Sequence, residues 1–272
     1  MVGFSGNRDP QARGWARIAE LTRITRRQFG MAAGSAVAAF ASGDACGMST
    51  RAADRDARLT ARPIEDATTT LKSGAIGLGS NGRDGIIQMP ATLKPGPQPL
   101  LLFLHGATQD GARMLRRVGP AADEAGVVLV CPDSRDVTWD AIRGGFGDDI
   151  AHLNHVLEHV FAHVAVDPQQ VTVGGFSDGA TYALSLGLAN GDLFPRVAAF
   201  SPGFVIPVPV RGRPRLFVSH GRFDQILPID QCSRIIVPQL RAKGYDVTFR
   251  EFDGRHEMPP DVASDAMRWM TT

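Results

Sequence analysis

The stretch that most constrains this chain runs from residue 171 to 189. A short apolar run, the pentapeptide Gly175-Phe176-Ser177-Asp178-Gly179 and a helix-forming segment follow one another without a break. A serine between strand and helix in this pattern sits on a sharp, strained turn, and side chains at the flanking glycines would collide with it. The hydroxyl is then held above the end of a sheet, at a helix N-terminus that favours developing negative charge. The rest of the chain has the matching rhythm. Apolar runs at 100–104, 127–131, 171–174, 197–200, 216–219 and 247–252 alternate with helical patterns at 111–125, 148–164, 179–189, 229–243 and 260–270. Continuous apolar strands are buried on both faces, as in a parallel sheet. The alternation therefore predicts a mostly parallel sheet with right-handed crossovers and helices on both faces. Ligand sites of such sheets form at the carboxyl ends of the strands. Residues 71–89 carry the turn signals Asn81-Gly82 and Asp84-Gly85, which predict an antiparallel hairpin at a sheet edge.

Composition narrows the function. The chain has 272 residues, 43% hydrophobic and 21% charged, with a net charge of +1. Those proportions are ordinary for a globular protein. Residues 1–46 hold six arginines and three acids, so the remainder carries −2. A chain so balanced has no electrostatic footprint for nucleic acid. No apolar run approaches the roughly 20 residues of a membrane span.

Residues 22–41 read TRITRRQFGMAAGSAVAAFA. The pair Arg26-Arg27, then Phe29, then a weakly apolar tract of small residues resembles a bacterial twin-arginine (Tat) signal, which is an address rather than folded structure. The expectation is export by the Tat machinery to the periplasm or the exterior. Ala39-Phe40-Ala41 fits a cleavage site, and Cys46 is an alternative, lipid-bearing first residue that would anchor the protein to a membrane. The expected division is a signal at 1–46, a flexible tether at 47–63 and one folded domain at 64–272.

A serine hydroxyl needs a base to remove its proton. In proteins with this strand–serine–helix turn, the partners follow as acid and then histidine. His256 lies just after the last apolar strand, and Asp224 follows the strand before it. The candidate triad is Ser177, Asp224 and His256, with His256 as general base and Asp224 as its orienter. His220 is read as a residue that shapes the acid loop, and Asp253 as a rival acid. The same template places an oxyanion hole at the N–H groups of Asp178 and of Ala107, in the His105-Gly106-Ala107-Thr108 loop.

Together, Leu104-His105-Gly106, Cys131-Pro132-Asp133-Ser134-Arg135, Gly175-Phe176-Ser177-Asp178-Gly179, His220-Gly221-Arg222-Phe223-Asp224 and His256 resemble the phospholipase/carboxylesterase family of α/β-hydrolases. The resemblance covers about residues 70–270. It implies an α/β-hydrolase fold and hydrolysis of small-molecule or lipid-like esters, including thioesters, through an acyl-enzyme without metal or organic cofactor. Asp178 stands where the thioesterase branch often has Gln, and Arg255 where it often has Gly. The run 105–109 is also similar to secreted polyester depolymerases and feruloyl esterases. A non-catalytic binding protein of the same fold is the alternative from another class.

Only residues 201–213 separate two strands where larger relatives carry a cap, so no large cap is expected and the site should be open. Phe204 is a candidate for its apolar wall. Residues 133–149 form a long loop at the catalytic edge, and long loops in compact domains are often functional. Trp139 and Phe146 are candidates for the substrate pocket, and Arg143 for meeting a carboxylate. His152, His155, His159 and His163 recur at helical spacing, which is metal-like, but no HExxH pattern accompanies them. No metal site is assigned. The strand order that the resemblance implies places Cys131 and Cys232 about four strands apart, too far for a disulfide.

Overall fold

The computed structural model describes residues 57–78 and 83–272. The Arg26-Arg27 signal, Cys46 and the first part of the expected tether lie outside the described residues. Eight strands form one sheet: β1 Gly74–Ala75, β2 Ile86–Gln88, β3 Gln98–Leu104, β4 Val128–Cys131, β5 Val166–Phe176, β6 Arg196–Phe200, β7 Arg215–Gly221 and β8 Val247–Phe252. Their order is β1-β2-β4-β3-β5-β6-β7-β8. The hairpin β1–β2 is antiparallel and pairs onto β4 antiparallel, and the remaining strands are parallel. The helices are α1 Gly111–Ala125, α2 Asp140–Arg143, α3 Asp148–His163, α4 Asp178–Ala189, α5 Ser233–Ala242 and α6 Pro260–Thr271.

The strand order fixes where a ligand can sit. From β3 the chain steps to β4 on one side and then crosses to β5 on the other. Crossovers that diverge on either side of a strand pair leave a crevice at their carboxyl ends. Here that crevice lies where β3 and β5 end. Those two strands are also the core. Every residue of β3 is buried, and β5 is buried from Val171 to Phe176. On β3, Leu101 and Phe103 pack with Met114, Val118 and Ala122 of α1 and with Val262, Ala266 and Met267 of α6. The alternate residues Leu100, Leu102 and Leu104 are equally buried and point to the other face. Helix α4 is buried along all twelve residues, which explains why its sequence has no polar face.

The expected tether differs from the structure at its end. Residues 57–62 are packed on the domain. Leu59 is fully buried, and its N–H donates to Asn190 Oδ1 at 2.9 Å. Asn190 Nδ2 donates in turn to Ala57 O at 2.8 Å, so one side chain pairs with this segment as a strand would. Asn154 Oδ1 accepts from the Thr60 and Ala61 N–H groups, and Arg58 and Arg62 both pair with Asp192. The run of Arg, Ala and Asp hid this, because the receiving groups lie more than 90 residues away.

Candidate active site

Ser177 is the residue between β5 and α4, with φ 58° and ψ −119°. Such a backbone costs a non-glycine residue of order 1–3 kcal/mol and persists only where the surroundings over-determine it. The Ser177 N–H donates to Phe200 O at 3.0 Å, which locks the turn to β6. The flanking glycines are required by contact. A Cβ on Gly175 would stand 2.4 Å from the Gly179 carbonyl, and one on Gly179 would stand 2.2 Å from Leu104 O.

Three side chains from the ends of three strands meet in one hydrogen-bonded chain. Ser177 Oγ lies 2.8 Å from His256 Nε2, and His256 Nδ1 lies 2.6 Å from Asp224 Oδ2. Since Asp224 accepts at Nδ1–H, Nε2 is left to accept from the serine hydroxyl. The imidazole rests on Phe176, with ring centroids 4.8 Å apart. Asp224 Oδ1 accepts from the N–H groups of Ile226 at 2.9 Å and Leu227 at 2.8 Å. Burial alone would raise the Asp224 carboxyl. Hydrogen bonds from His220, His256 and the Leu227 N–H outweigh it and hold the group well below the usual carboxylate range.

His220 is fully buried, with Nδ1 at 2.7 Å from Ser233 Oγ and Nε2 at 2.7 Å from Leu227 O and 3.2 Å from Asp224 Oδ2. It braces the acid loop. Asp253, the rival acid, is exposed and paired with Arg222 at 2.8 Å. It is not in the chain that reaches Ser177.

The turn after β3 comes close to the serine, since a Cβ on Gly106 would lie 3.3 Å from Ser177 Cβ. His105 fixes this turn. Its Nε2 accepts from the Ser134 N–H at 2.9 Å, so Nδ1 carries the proton and donates to Gly106 O at 2.8 Å. Gln109 N–H donates to the same carbonyl. The Gly106–Ala107 peptide is planar, so holding its C=O aims the Ala107 N–H the opposite way. Among the described residues, no hydrogen bond takes up the Ala107 or the Asp178 N–H. Burial of His105 lowers its pKa and keeps the ring neutral. Burial of Asp178 raises its carboxyl, which accepts from Thr138 Oγ1 at 2.6 Å.

The candidate pocket residues are corrected in part. Trp139 is fully buried and lines no open wall. Its ring lies between His105, at 5.0 Å, and Tyr182, at 5.3 Å, and its Nε1–H donates to His105 O at 2.8 Å. Phe146 is also buried, edge-on to Tyr182 at 5.1 Å. Both turn inward because Tyr182 of α4 offers an aromatic surface that sequence order does not reveal. Arg143 is exposed and loosely paired with Asp136 at 3.7 Å. Phe204 is half-buried, while its neighbours Val205, Ile206 and Val208 are buried. The loop that carries Asp224 exposes Phe223 and Ile226, at 62% and 60%.

The long loop is anchored by an exchange the sequence reading missed. Asp149 accepts from the Arg135 and Asp140 N–H groups, each at 2.7 Å, and the Asp149 N–H donates to Asp140 Oδ2 at 3.0 Å. Burial pushes the Asp149 carboxyl up to about 6. The four histidines of α3 do not converge. His152 lies 3.2 Å from Arg135, and burial lowers it to about 4, while His159 and His163 stack at 4.7 Å. Among the described residues, no group of three His, Cys, Asp or Glu side chains is arranged to hold a metal ion. Cys131 and Cys232 are buried and unpaired.

An eight-stranded sheet with a strained serine after β5, an acid after β7 and a histidine after β8 defines an α/β-hydrolase. The solved structure titled "Crystal structure of esterase PE8" superposes with a TM-score of 0.57 at 20% identity, over 74% of this chain and 99% of that one. The family model described as Phospholipase/Carboxylesterase matches residues 77–272, and the chain belongs to that family. Among curated relatives, "Putative esterase NocK" of Nocardia uniformis subsp. tsuyamanensis is 29% identical over 198 residues, 67% of this chain and 56% of NocK. Feruloyl esterase C of Emericella nidulans is 25% identical over 162 residues, 55% of this chain and 58% of its own length. The match thus spans a little over half the length of these relatives.

Proposed function

We propose that this protein hydrolyses carboxylic esters, thioesters included, through an acyl-enzyme on Ser177. The observation that carries the reading is the unbroken chain from Ser177 Oγ through His256 to Asp224, on a turn whose strain aims the hydroxyl outward. Ser177 Oγ attacks the ester carbonyl carbon while His256 Nε2 takes its proton. The carbonyl oxygen becomes an oxyanion and moves toward the N–H groups of Ala107 and Asp178. One such donor is worth about 3–4 kcal/mol in the transition state. The intermediate collapses, His256 gives the proton to the departing alcohol, and the acyl group stays on Ser177. A water then attacks the acyl carbon with His256 again as base, which returns acid product and free serine. Asp224 stabilises the imidazolium in both halves.

Two further readings go with this one. The exposed Phe223 and Ile226 on the acid loop, and the name of the feruloyl esterase relative, support aromatic-acid esters and ester polymers as substrates alongside simple acyl esters. The Arg26-Arg27 pattern supports Tat export, with Cys46 as a lipid-anchoring position. The test is hydrolysis of p-nitrophenyl esters from acetyl to palmitoyl and of methyl ferulate, beside Ser177→Ala. Hydrolysis by the parent protein and its loss in the variant are expected, with fluorophosphonate labelling of the parent alone. Equal rates in both proteins, or no turnover and no labelling, would overturn the reading in favour of a binding protein.

A further inference from the structure

Three consecutive residues of the long loop each reach one side of the serine. The Val137 carbonyl accepts the Thr108 N–H at 2.7 Å. Thr138 Oγ1–H donates to Asp178 Oδ2 at 2.6 Å. Trp139 Nε1–H donates to His105 O at 2.8 Å. The first and third bonds hold the turn that carries Ala107, and the second holds the residue after the nucleophile. Among the described residues, no hydrogen bond joins residues 105–108 directly to residues 177–179. The β3–β5 ladder ends at Leu104 and Gly175, and beyond it the hydrogen bonds that link the two turns run through this tripeptide.

We infer that Val137-Thr138-Trp139 is a clip that sets the separation of the two oxyanion donors, with Thr138 and Trp139 as positioning residues. This rests on the serine-hydrolase reading and adds residues that touch no substrate. The clip has a built setting. Thr138 is 4% exposed and Trp139 fully buried. Thr108 has φ 59°, a left-handed backbone unusual for a β-branched residue, and its N–H bond to Val137 holds it there. The loop cannot drift away with its cargo, because the exchange between Asp140 and Asp149 and the bond from Tyr182 Oη to Asp140 at 3.2 Å fix its far end. Oxyanion donors must stand about 2.7–3.1 Å from the arriving charge, and a misplacement of about 1 Å costs on the order of 100-fold in rate.

The test uses Thr138→Val, which keeps shape and removes the donor, and Trp139→Phe, which keeps a ring and removes the N–H. Thr138→Ser restores the hydroxyl. For each full-length variant, kcat, KM and the inhibition constant of a boronic acid that forms a tetrahedral adduct on the serine are measured, with the melting temperature. The clip predicts a fall in kcat of about 10- to 100-fold for Thr138→Val and Trp139→Phe, with KM within about threefold. The boronic acid should weaken by the same factor as kcat/KM, and Thr138→Ser should recover most of the loss. A side chain that only supports the fold would lower the melting temperature and leave that parallel absent. Values of kcat within threefold of the parent in both variants, a change in KM alone, or unchanged boronic acid affinity would overturn the clip. If Thr138→Val does not fold, Trp139→Phe decides. A parent protein without esterase activity would sink the hydrolase reading instead, a result distinct from any of these.

Discussion

At the scale of single residues, Asp224 shows how one carboxylate sets a tautomer. Four donors converge on it: the N–H groups of Ile226 and Leu227 on Oδ1, and His256 and His220 on Oδ2. An asparagine in its place keeps the Oδ1 contacts but turns an NH2 toward His256 Nδ1. The ring must then carry its proton on Nε2, where it cannot accept the serine's. Asp224→Asn should fold with near-parental circular dichroism and lose about 10⁴-fold in kcat, by analogy with the same change in serine proteases. Steady-state kinetics with a p-nitrophenyl ester check this, and a loss under tenfold would mean that another group orients the histidine.

At the scale of elements, the segment between β4 and α3 holds one short helix, α2, and is pinned at both Asp140 and Asp149. Asp149 is its anchor, and burial raises its carboxyl to about 6. An unfolded aspartate titrates near 3.9. Between those values the folded state holds a proton that the unfolded chain has released. Stability from this group is therefore full below about pH 4 and falls as pH rises through about 6, by roughly 2–3 kcal/mol. Asp149→Asn lacks that titration. The stability difference between parent and variant in urea unfolding should shrink by that amount from pH 4 to pH 7. A difference that stays flat across the range would remove Asp149 as the source.

At the scale of the whole described domain, residues 57–62 work as a strap. They cover the C-terminal end of α4, while Ser177 stands at its N-terminal end. A helix of twelve residues is about 18 Å long. A chain beginning at Ile64 loses the burial of Leu59, worth about 1.5–3 kcal/mol, and strips Asn190 of its bonds to Leu59 and Ala57, leaving Nδ2 only Leu186 O. Compared with a chain beginning at Asp56, it should melt about 5–10 °C lower, since 1 kcal/mol shifts a domain of this size by about 2–4 °C. The kcat of the folded fraction should be unchanged at that distance. Equal melting temperatures would show that the strap adds nothing.

The local turns and the periodicity of this chain carried a great deal. The inner parallel strands β3, β4, β6 and β7 and the second half of β5 are legible because they are largely buried on both faces and so read as apolar runs, whereas the edge strand β8 is buried only at Val247. The helix α1 is legible over its full length, because Asp110 caps its start and Gly126, at φ 70°, ends it. Ser177, Asp224 and His256 could be picked out because strand–turn–helix punctuation marks where strands end. What the sequence could not decide is what the side chains between those landmarks face. Trp139 and Phe146 look like pocket residues on a long loop until Tyr182, some forty residues on, turns them inward. The contacts of Thr138 with Asp178, Leu59 with Asn190 and His220 with Ser233 also join distant positions with no motif of their own. Periodicity and turn chemistry are properties of neighbouring residues, so the sequence alone settles the elements and the candidate triad. Hydrogen bonds across the fold depend on which chain ends the sheet order brings together, and only the tertiary structure supplies that.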